Sequence, residues 1–382
     1  MDINLFDFYL PEEQIAQTPE KKRDEARLLV VDREKKTYED KKFYDILDYL
    51  KPGDVLVRNN TKVIPARLIG AKKATGGKCE CLLLKQIKGD VWECLVGGAH
   101  SVRIGTEVTF GNGELSATCV EVFPEGIRHM EFHYEGIFLE VLERLGKMPL
   151  PPYIKKQISD NSDYQTVYAK VPGSAAAPTA GFHFTEELFE KIKAMGVEVV
   201  DVTLNIGLGT FRPVKVEDTK DHVMHSERYE MSEEAAKALN LAKQEGRRII
   251  AIGTTSVRTL ESLYYAGISC LEKGRPEDIG QWVPYEREYT TSTSDALDAL
   301  ISYLDRNSMT SLSLGTRIII VPGFRFRIVD RLVTNFHQPE STLILLVSAF
   351  VGGDWRTIYD YALSHDFRFL SYGDSSLLVR TV

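Results

Sequence analysis

The chain has 382 residues, of which 43% are hydrophobic and 27% are charged, and its formal net charge is −8. This length allows two or more domains, and the composition is typical of an ordinary soluble globular protein. The acidic balance gives no support to generic nucleic-acid binding, which usually needs a basic surface, although a local basic patch is compatible with it.

The segments and cysteines that report on cellular location all indicate the cytoplasm. The longest strongly apolar run, residues 343–351, is far too short to span a membrane. The amino terminus lacks a basic segment followed by an apolar core, so no secretory signal is visible. The five cysteines form no C-x-x-C pair, which favours a reducing compartment. We therefore expect a cytoplasmic protein with no membrane partner.

The predicted secondary structure of the amino-terminal half changes near residue 54. Before it, residues 28–31 predict a strand and residues 43–50 a short helix. From 54 to about 135, short β-rich runs alternate with glycine turns, which predicts a small barrel or sandwich. The proline-rich stretch at 148–153 predicts a stiff linker that returns from this β-rich region.

The carboxyl-terminal half alternates helix and strand patterns. Thr185 and Ser232 are positioned to cap helices, the second of them spanning residues 233–244. A further helix is expected at 295–304. Strands are expected at 197–204, 248–252, 318–321 and 331–333. The alternation favours a layered α/β domain into which the β-rich region is inserted.

Three predicted loops have the same composition and position. Each is rich in polar side chains and precedes a predicted helix. They are residues 177–185, 253–259 and 334–342. In an open α/β sheet such loops gather at the carboxyl edge of the strands, where small polar molecules bind. The sequence therefore predicts one polar pocket for a nucleotide-like ligand.

The second of these loops is a candidate anion site. Thr254, Thr255 and Ser256 follow a strand and open a helix, where free N–H groups suit a phosphate or a carboxylate. Arg258, one turn further, could add a bidentate clamp. The alternative is simple capping of the helix by a hydroxyl side chain.

Histidines supply the candidates for acid–base chemistry. His183 and His337 lie in the first and third loops, and imidazole titrates near neutral pH without help. The alternative is that each is a hydrogen-bonded structural residue. His222 and His225 have i, i+3 spacing and, joined by one of the first two, could bind zinc. That alternative would make the protein a metal-dependent hydrolase.

Two basic segments could also meet a ligand. Residues 207–213 combine two glycines with Arg212, which could contact a charged group, although a tight turn explains them equally well. Residues 323–327 alternate aromatic and basic side chains. On a strand this would place Arg325 and Arg327 on one face, suited to RNA phosphates. The alternative is a half-buried strand with a solvated edge.

With these residues laid out, the chain closely resembles the S-adenosylmethionine:tRNA ribosyltransferase-isomerase family of the queuosine pathway. The motifs that carry the likeness are residues 10–17, 63–68, 76–78, 148–154, 164–169, 176–185, 207–214, 224–225, 253–262, 334–350 and 369–374. The resemblance implies a layered α/β main domain, residues 1–65 and 150–382, with an inserted small β-barrel domain, residues 66–149.

The same resemblance implies one reaction and its partners. The ribosyl part of S-adenosylmethionine moves to 7-aminomethyl-7-deazaguanine at the wobble position of tRNA, giving epoxyqueuosine, adenine and methionine. S-adenosylmethionine is then a consumed substrate rather than a cofactor, no metal is needed, and the chain is expected to be a monomer.

We expect the site residues of that reaction to fall into three groups. The catalytic group is His183, His337 and Thr185. The substrate-binding group is Thr179, Gly181, Arg212, Gly253, Thr254, Thr255, Ser256, Arg258 and Asn335. The tRNA-binding group is Arg67, Arg325 and Arg327.

The chain departs from the family pattern at three places. Asn60 stands where the family usually has Asp, and Asn205 where it usually has His. Asn keeps a hydrogen bond but cannot titrate. The segment from about 271 to 316 is longer than the pattern. These departures keep open a divergent relative that binds nucleotide or RNA without catalysis.

Overall fold

The computed structural model describes residues 1–158, 160–207, 214 and 216–380. Within them the chain forms a nine-stranded mixed sheet, a closed six-stranded barrel and a two-stranded parallel ladder. The predicted fold class, a layered α/β domain carrying a small β-barrel, is confirmed. The boundaries at 66 and 149 stay a prediction.

The strands and helices follow one another along the described residues. The strands are β1 (Arg27–Asp32), β2 (Thr37–Lys42), β3 (Val55–Asn59), β4 (Thr61–Val63), β5 (Arg67–Lys72), β6 (Lys78–Lys88), β7 (Val91–Gly97), β8 (Glu107–Phe110), β9 (Leu115–Val122), β10 (Ile127–Tyr134), β11 (Val171–Ser174), β12 (Glu198–Leu204), β13 (Glu227–Ser232), β14 (Ile249–Ile252), β15 (Ser311–Thr316), β16 (Arg331–Asn335) and β17 (Ser375–Val379). The helices are α1 (Phe138–Leu145), α2 (Glu186–Ala194), α3 (Glu233–Gln244), α4 (Gly253–Lys273), α5 (Thr293–Arg306), α6 (Thr342–Phe350) and α7 (Trp355–Ser364).

The large sheet has the order β15-β13-β12-β3-β14-β16-β17-β1-β2. Its centre is parallel: β3 pairs with β12 on one side and β14 on the other, and β14 pairs with β16. The carboxyl ends of these four strands therefore meet at one edge of the sheet. The loops that follow β14 and β16 are two of the three polar loops identified in the sequence.

Helix α4 is the central helix of the main domain. Nearly every residue from Gly253 to Cys270 is buried, as expected for a helix that is covered on all sides. α5 packs closely against it at Gly267, where a Cβ would lie 2.1 Å from the backbone oxygen of Ala296. Glycine therefore sets the distance between the two helices, and α5 is the element that the long segment after residue 271 contributes.

The barrel has the closed order β10-β7-β6-β5-β8-β9. Burial alternates along β6, so that Cys79, Cys81 and Leu83 point inward together, as expected for the period of a strand. All five cysteines are buried free thiols, which agrees with their interpretation as small apolar residues. No helix in the described part of the chain is both long and apolar enough to cross a membrane.

Two predicted strands are wrong. Residues 318–321 and 323–327 are buried or turning irregular chain, and the strand of that region is β15, further upstream. At the end of the second segment the cause is Glu261 of α4, whose carboxylate accepts backbone N–H bonds from Arg327, Ile328 and Val329. A side chain thus satisfies donors that a strand would give to a neighbour.

Candidate functional site

All three polar loops line one cleft at the carboxyl edge of the parallel strands. The cleft encloses about 640 Å³ of empty space, including its open mouth. The predicted loops contribute Thr179, Ala180, Gly253, Thr254, Thr255, Thr334, Asn335, His337 and Gln338. The three segments therefore meet in one cleft, as predicted, but the second of them is the first turn of α4 and not a loop. Most of the surface that lines the cleft is apolar.

The floor of the cleft includes the start of α4. Gly253 has φ +83°, a left-handed conformation that glycine adopts without strain, and it turns the chain from β14 directly into the helix. No side chain caps this helix, because the residue before it is Ile252. Capping by a hydroxyl, the alternative interpretation of this loop, is therefore not observed. The free N–H groups and the helix dipole favour an anionic group here.

His337 borders the cleft directly. Its Nε2 lies 2.8 Å from Oγ1 of Thr334, and its backbone N–H donates to the hydroxyl of Tyr359 at 3.0 Å. Desolvation lowers the pKa of His337 to about 3, although the side chain keeps partial exposure to the cleft. The ring is therefore neutral at pH 7 and can accept a proton.

His183 lies behind the cleft wall. Its Nε2 is 2.9 Å from Oδ1 of Asn335, a residue that faces the cleft. The side chain is buried, its ring packs against Phe43, and desolvation lowers its pKa to about 4 against the opposing effect of the Asn335 hydrogen bond. His183 is thus a neutral imidazole that reaches the cleft through Asn335.

The orientation of Asn335 fixes which nitrogen of His183 carries the proton. The Nδ2 of Asn335 donates to the carbonyls of Leu370 and Ser371 at 2.9 and 3.2 Å. Because carbonyls cannot donate, the amide nitrogen must face them, and Oδ1 must accept from His183. The proton is therefore on Nε2. Leu370 has φ +70°, a strained conformation for a bulky residue and a common mark of functional sites.

Other predicted residues lie beside the cleft rather than in it. Thr185 caps α2, since its Oγ1 accepts the N–H of Leu188 at 3.1 Å. Gly181 is buried beneath Tyr168, whose hydroxyl would lie 2.0 Å from an added Cβ. Ser256 is fully buried, and its hydroxyl has no hydrogen-bond partner among the described residues.

Arg258 points into the protein, where its guanidinium forms a buried ion pair with Glu227. The other carboxylate oxygen of Glu227 accepts the N–H of Gly207 at 3.0 Å. The geometry gives Arg258 a structural partner in place of the expected ligand carboxylate. Arg212 lies outside the described residues.

The three arginines expected to bind tRNA have different surroundings. Arg67, on the barrel, forms a bidentate pair with Glu80 at 2.8 and 3.1 Å. Arg327 donates to the carbonyl of Tyr289 and lies over the ring of Tyr264. Arg325 is exposed and could still meet a phosphate. The prediction that a strand would align the last two is wrong, because that segment is a loop.

The zinc alternative has no ligand set in the described part of the chain. No group of three or more His, Cys, Asp or Glu side chains there is arranged to hold a metal ion. Burial and, to a smaller extent, the charge of His225 lower the pKa of His222. Among the residues that the structure describes, this pair has no third ligand.

Several lining residues were not predicted, because they come from segments that read as linker or turn. Tyr153 belongs to the proline-rich linker, and Leu370 and Ser371 to the turn before β17. The hydroxyl of Tyr153 lies 2.7 Å from Oγ of Ser371, which ties the linker to that turn. The family motif at 369–374 was the available signal for the second segment.

The two unusual asparagines lie in a buried network behind the cleft. Asn60 accepts a hydrogen bond from the hydroxyl of Thr203 at 2.6 Å, and Asn205 accepts one from Thr61 at 2.8 Å. The first bond joins the residue after β3 to β12, and the second joins the start of β4 to the residue after β12. A carboxylate could accept the first bond equally well, so Asn60 preserves the contact while removing a charge.

Comparison with known proteins agrees with this geometry. Residues 3–378 match the model of a family described as queuosine biosynthesis protein. The chain is also similar to the crystal structure of an S-adenosylmethionine tRNA ribosyltransferase from Thermotoga maritima, with 31% sequence identity and a TM-score of 0.50. That match covers 98% of this chain and 99% of the other.

Proposed function

The chain belongs to the queuosine biosynthesis protein family, and we propose that it is an S-adenosylmethionine:tRNA ribosyltransferase-isomerase. It transfers the ribosyl part of S-adenosylmethionine to the aminomethyl group of 7-aminomethyl-7-deazaguanine at the tRNA wobble position. The acceptor amine gains a bond to the ribosyl carbon and loses a proton. The glycosidic bond to adenine, the carbon–sulfur bond to methionine and the bond from the ribose ring oxygen to the carbon that receives the amine break, and adenine takes up a proton. A new carbon–carbon bond joins the carbons that lose adenine and methionine, the freed oxygen bridges the same two carbons, and the product is epoxyqueuosine. S-adenosylmethionine is therefore consumed as a substrate.

The observation that carries this proposal is the cleft in which three separated loops meet. It combines an uncapped helix start at Gly253 and Thr254 with a neutral imidazole at His337. The helix start suits the methionine carboxylate. The sulfonium acidifies the neighbouring carbon, so a positioned base is needed, and His337 supplies it.

The other residues of the site bind the substrate or position the groups that do. Asn335 and Thr179 line the cleft and hold the nucleoside through hydrogen bonds. His183 reaches the cleft through Asn335, whose Oδ1 accepts the Nε2–H of its ring. No step of this proposal uses a metal ion.

One mixture tests the proposal directly. Purified protein is incubated with S-adenosylmethionine and a tRNA that carries the precursor base. Free adenine is then quantified, and the mass of the wobble nucleoside is measured by mass spectrometry. We expect stoichiometric adenine and a nucleoside heavier by the transferred ribosyl unit. A tRNA with unmodified guanine at the wobble position is the control, and adenine release that is equal with both tRNAs would contradict the proposal.

The non-catalytic alternative rests on Asn60, where the family usually has a carboxylate. It predicts that S-adenosylmethionine or tRNA binds while no adenine appears. Asn60 contacts Thr203 behind the cleft, and the substitution Asn60→Asp tests its effect. If the wild type releases no adenine and the Asn60→Asp variant does, the chain has lost catalysis through this one change.

A further inference from the structure

Two stretches of this acidic chain are basic throughout. Residues 55–79 contain six lysines and arginines and no Asp or Glu, and residues 144–158 contain four and likewise no Asp or Glu. The whole chain has 47 lysines and arginines against 55 aspartates and glutamates. Both stretches therefore concentrate positive charge that the rest of the protein lacks.

The two basic stretches pack together on one small hydrophobic core beside the cleft. Val63 of the first stretch and Met148 and Ile154 of the second belong to this core, together with Ala177. Tyr153 packs against the same core, and both Tyr153 and Ala177 line the cleft. The basic stretches and the wall of the cleft are therefore built on the same side chains.

Three exposed lysines in these stretches form a lysine surface next to that core. Lys62, Lys147 and Lys156 each lie one or two positions from a core residue, and all three are exposed. None of them has an ion-pair partner among the described residues. Lys155, by contrast, pairs with Glu12 at 3.0 Å. The charges of the three lysines are therefore available to an anionic partner.

Side-chain amides hold the backbone beneath the lysine surface. Gln165 accepts the N–H of Val63 at 3.1 Å and donates to its carbonyl at 2.7 Å. Gln17 donates to the carbonyl of Tyr153 at 2.8 Å and accepts the N–H of Lys155 at 2.7 Å. The lysines thus extend from fixed positions, and phosphate contacts made from fixed positions set the register of a nucleic acid on a protein.

We propose that Lys62, Lys147 and Lys156 bind phosphates of the tRNA anticodon arm and hold the wobble base at the cleft. This inference rests on the proposed function, which requires tRNA, and it names a docking surface in place of the arginines that the sequence suggested. Lysine binds phosphate as a point charge without reading the sequence. Counterions released from the RNA make such binding weaken steeply with salt. The acidic remainder of the protein repels RNA, which confines the contact to the side of the cleft.

Equilibrium binding of a tRNA that carries the precursor base tests the lysine surface. Affinity is measured without S-adenosylmethionine at salt concentrations from about 50 to 200 mM, so that no turnover is needed. The test variant carries Lys62→Gln, Lys147→Gln and Lys156→Gln together.

The control variant carries Lys36→Gln, Lys51→Gln and Lys191→Gln, and it removes the same amount of charge. These lysines are also exposed and have no ion pair in the described part of the chain. Lys51 and Lys191 lie in the segments that lead into β3 and β12, and Lys36 follows β1, which runs opposite to β14. All three therefore lie toward the edge of the sheet that is opposite the cleft.

We expect the test variant to bind the tRNA about tenfold more weakly at about 100 mM salt. Its slope of log affinity against log salt should be smaller in magnitude by about 2–3. The control variant should keep the wild-type slope and an affinity within twofold. Both variants should keep their affinity for S-adenosylmethionine within twofold, which shows an intact fold. If the test variant fails that check, the three single variants repeat the measurement, each with an expected loss of about twofold to threefold.

The outcomes separate the lysine surface from the proposed function. Wild-type affinity in the test variant overturns the surface, as does an equal loss in the test and control variants or a wild type that does not bind tRNA. A protein that binds tRNA through these lysines yet releases no adenine keeps the surface and loses the function. A protein that releases adenine with the same KM for tRNA in the wild type and the test variant loses the surface and keeps the function.

Discussion

Asn335 accepts a hydrogen bond from Nε2 of His183 at 2.9 Å while its own amide nitrogen is held by two backbone carbonyls. The amide cannot turn over without placing its oxygen against those carbonyls. Asn335 is therefore a positioning residue that selects one neutral tautomer of a buried imidazole. A strained turn at Leu370 supplies one of the two carbonyls, which links the backbone before β17 to the chemistry of the cleft.

The substitution Asn335→Asp should make His183 easier to protonate. A carboxylate beside Nε2 stabilises the imidazolium, and an opposite charge at this distance shifts a pKa by about 1–3 units. The pKa of His183, held near 4 by burial in the wild type, should rise accordingly. Nitrogen NMR across a pH titration measures it, with His183→Gln to identify the signal. An unchanged titration would show that Asn335 does not govern the ring.

The buried imidazoles should make the fold sensitive to acid. In the unfolded chain a histidine titrates near pH 6.5, whereas burial lowers the pKa of His183 to about 4 in the folded chain. Above pH 6.5 the imidazole of His183 is neutral in the folded and in the unfolded chain, so its burial costs no stability through protonation. As pH falls from 6.5 toward 4, the unfolded state gains the proton first, so stability declines, by about 3 kcal/mol for His183 alone. Urea unfolding between pH 4 and 7 should show a shallower pH dependence for His183→Gln, and parallel curves would exclude this origin.

The predictable part of the site was the set of loops, because their position depends on strand order. β14 and β16 carried strong apolar patterns, and parallel neighbours necessarily bring the loops after them to one edge. The conformation of individual side chains was not predictable in this way. Arg258 looked like a ligand clamp from its place one turn into α4, but its partner Glu227 lies 31 residues away in sequence.

The two wrongly predicted strands also show that local sequence patterns do not reveal tertiary contacts. The apolar run at 318–321 and the alternating pattern at 323–327 predict strands from the local sequence alone. The buried carboxylate of Glu261 satisfies three backbone donors of that segment, all of them within 3.0 Å. The carboxylate of Glu261 in the middle of a buried helix was the available signal, and its meaning depends on a tertiary contact that the sequence does not display.

The ion pair of Arg258 should matter for stability rather than for ligand affinity. Arg258→Met leaves the carboxylate of Glu227 buried without its cation, which should cost about 3–5 kcal/mol. In the double variant Arg258→Met with Glu227→Gln, the charge is gone and an oxygen remains for the N–H of Gly207, so most of that loss should be recovered. Urea unfolding tests both. If the stable double variant binds S-adenosylmethionine more than tenfold weaker, Arg258 contacts the ligand after all.

Gly181 should be required for packing. An alanine Cβ there would lie 2.0 Å from the hydroxyl of Tyr168 and 2.8 Å from Cγ2 of Thr166. Overpacking of this kind costs about 1–3 kcal/mol, so Gly181→Ala should lower the free energy of unfolding by that amount. Adding Tyr168→Phe removes the nearest atom and should restore part of it. A Gly181→Ala protein of full stability but weakened S-adenosylmethionine binding would instead assign the glycine to the substrate.

His337 should carry the largest single effect on turnover. It is the imidazole that borders the cleft, it is neutral at pH 7, and Thr334 holds its Nε2 at 2.8 Å. Loss of a general base lowers turnover by about 10²–10⁴-fold, so His337→Gln should reduce kcat for adenine release by that factor with little change in the KM for S-adenosylmethionine. The exposed His365 provides the matched control, since His365→Gln should leave kcat within twofold. Near-wild-type turnover in His337→Gln, combined with a large loss in His183→Gln, would move the role of base to the buried ring and make the cleft histidine a structural residue.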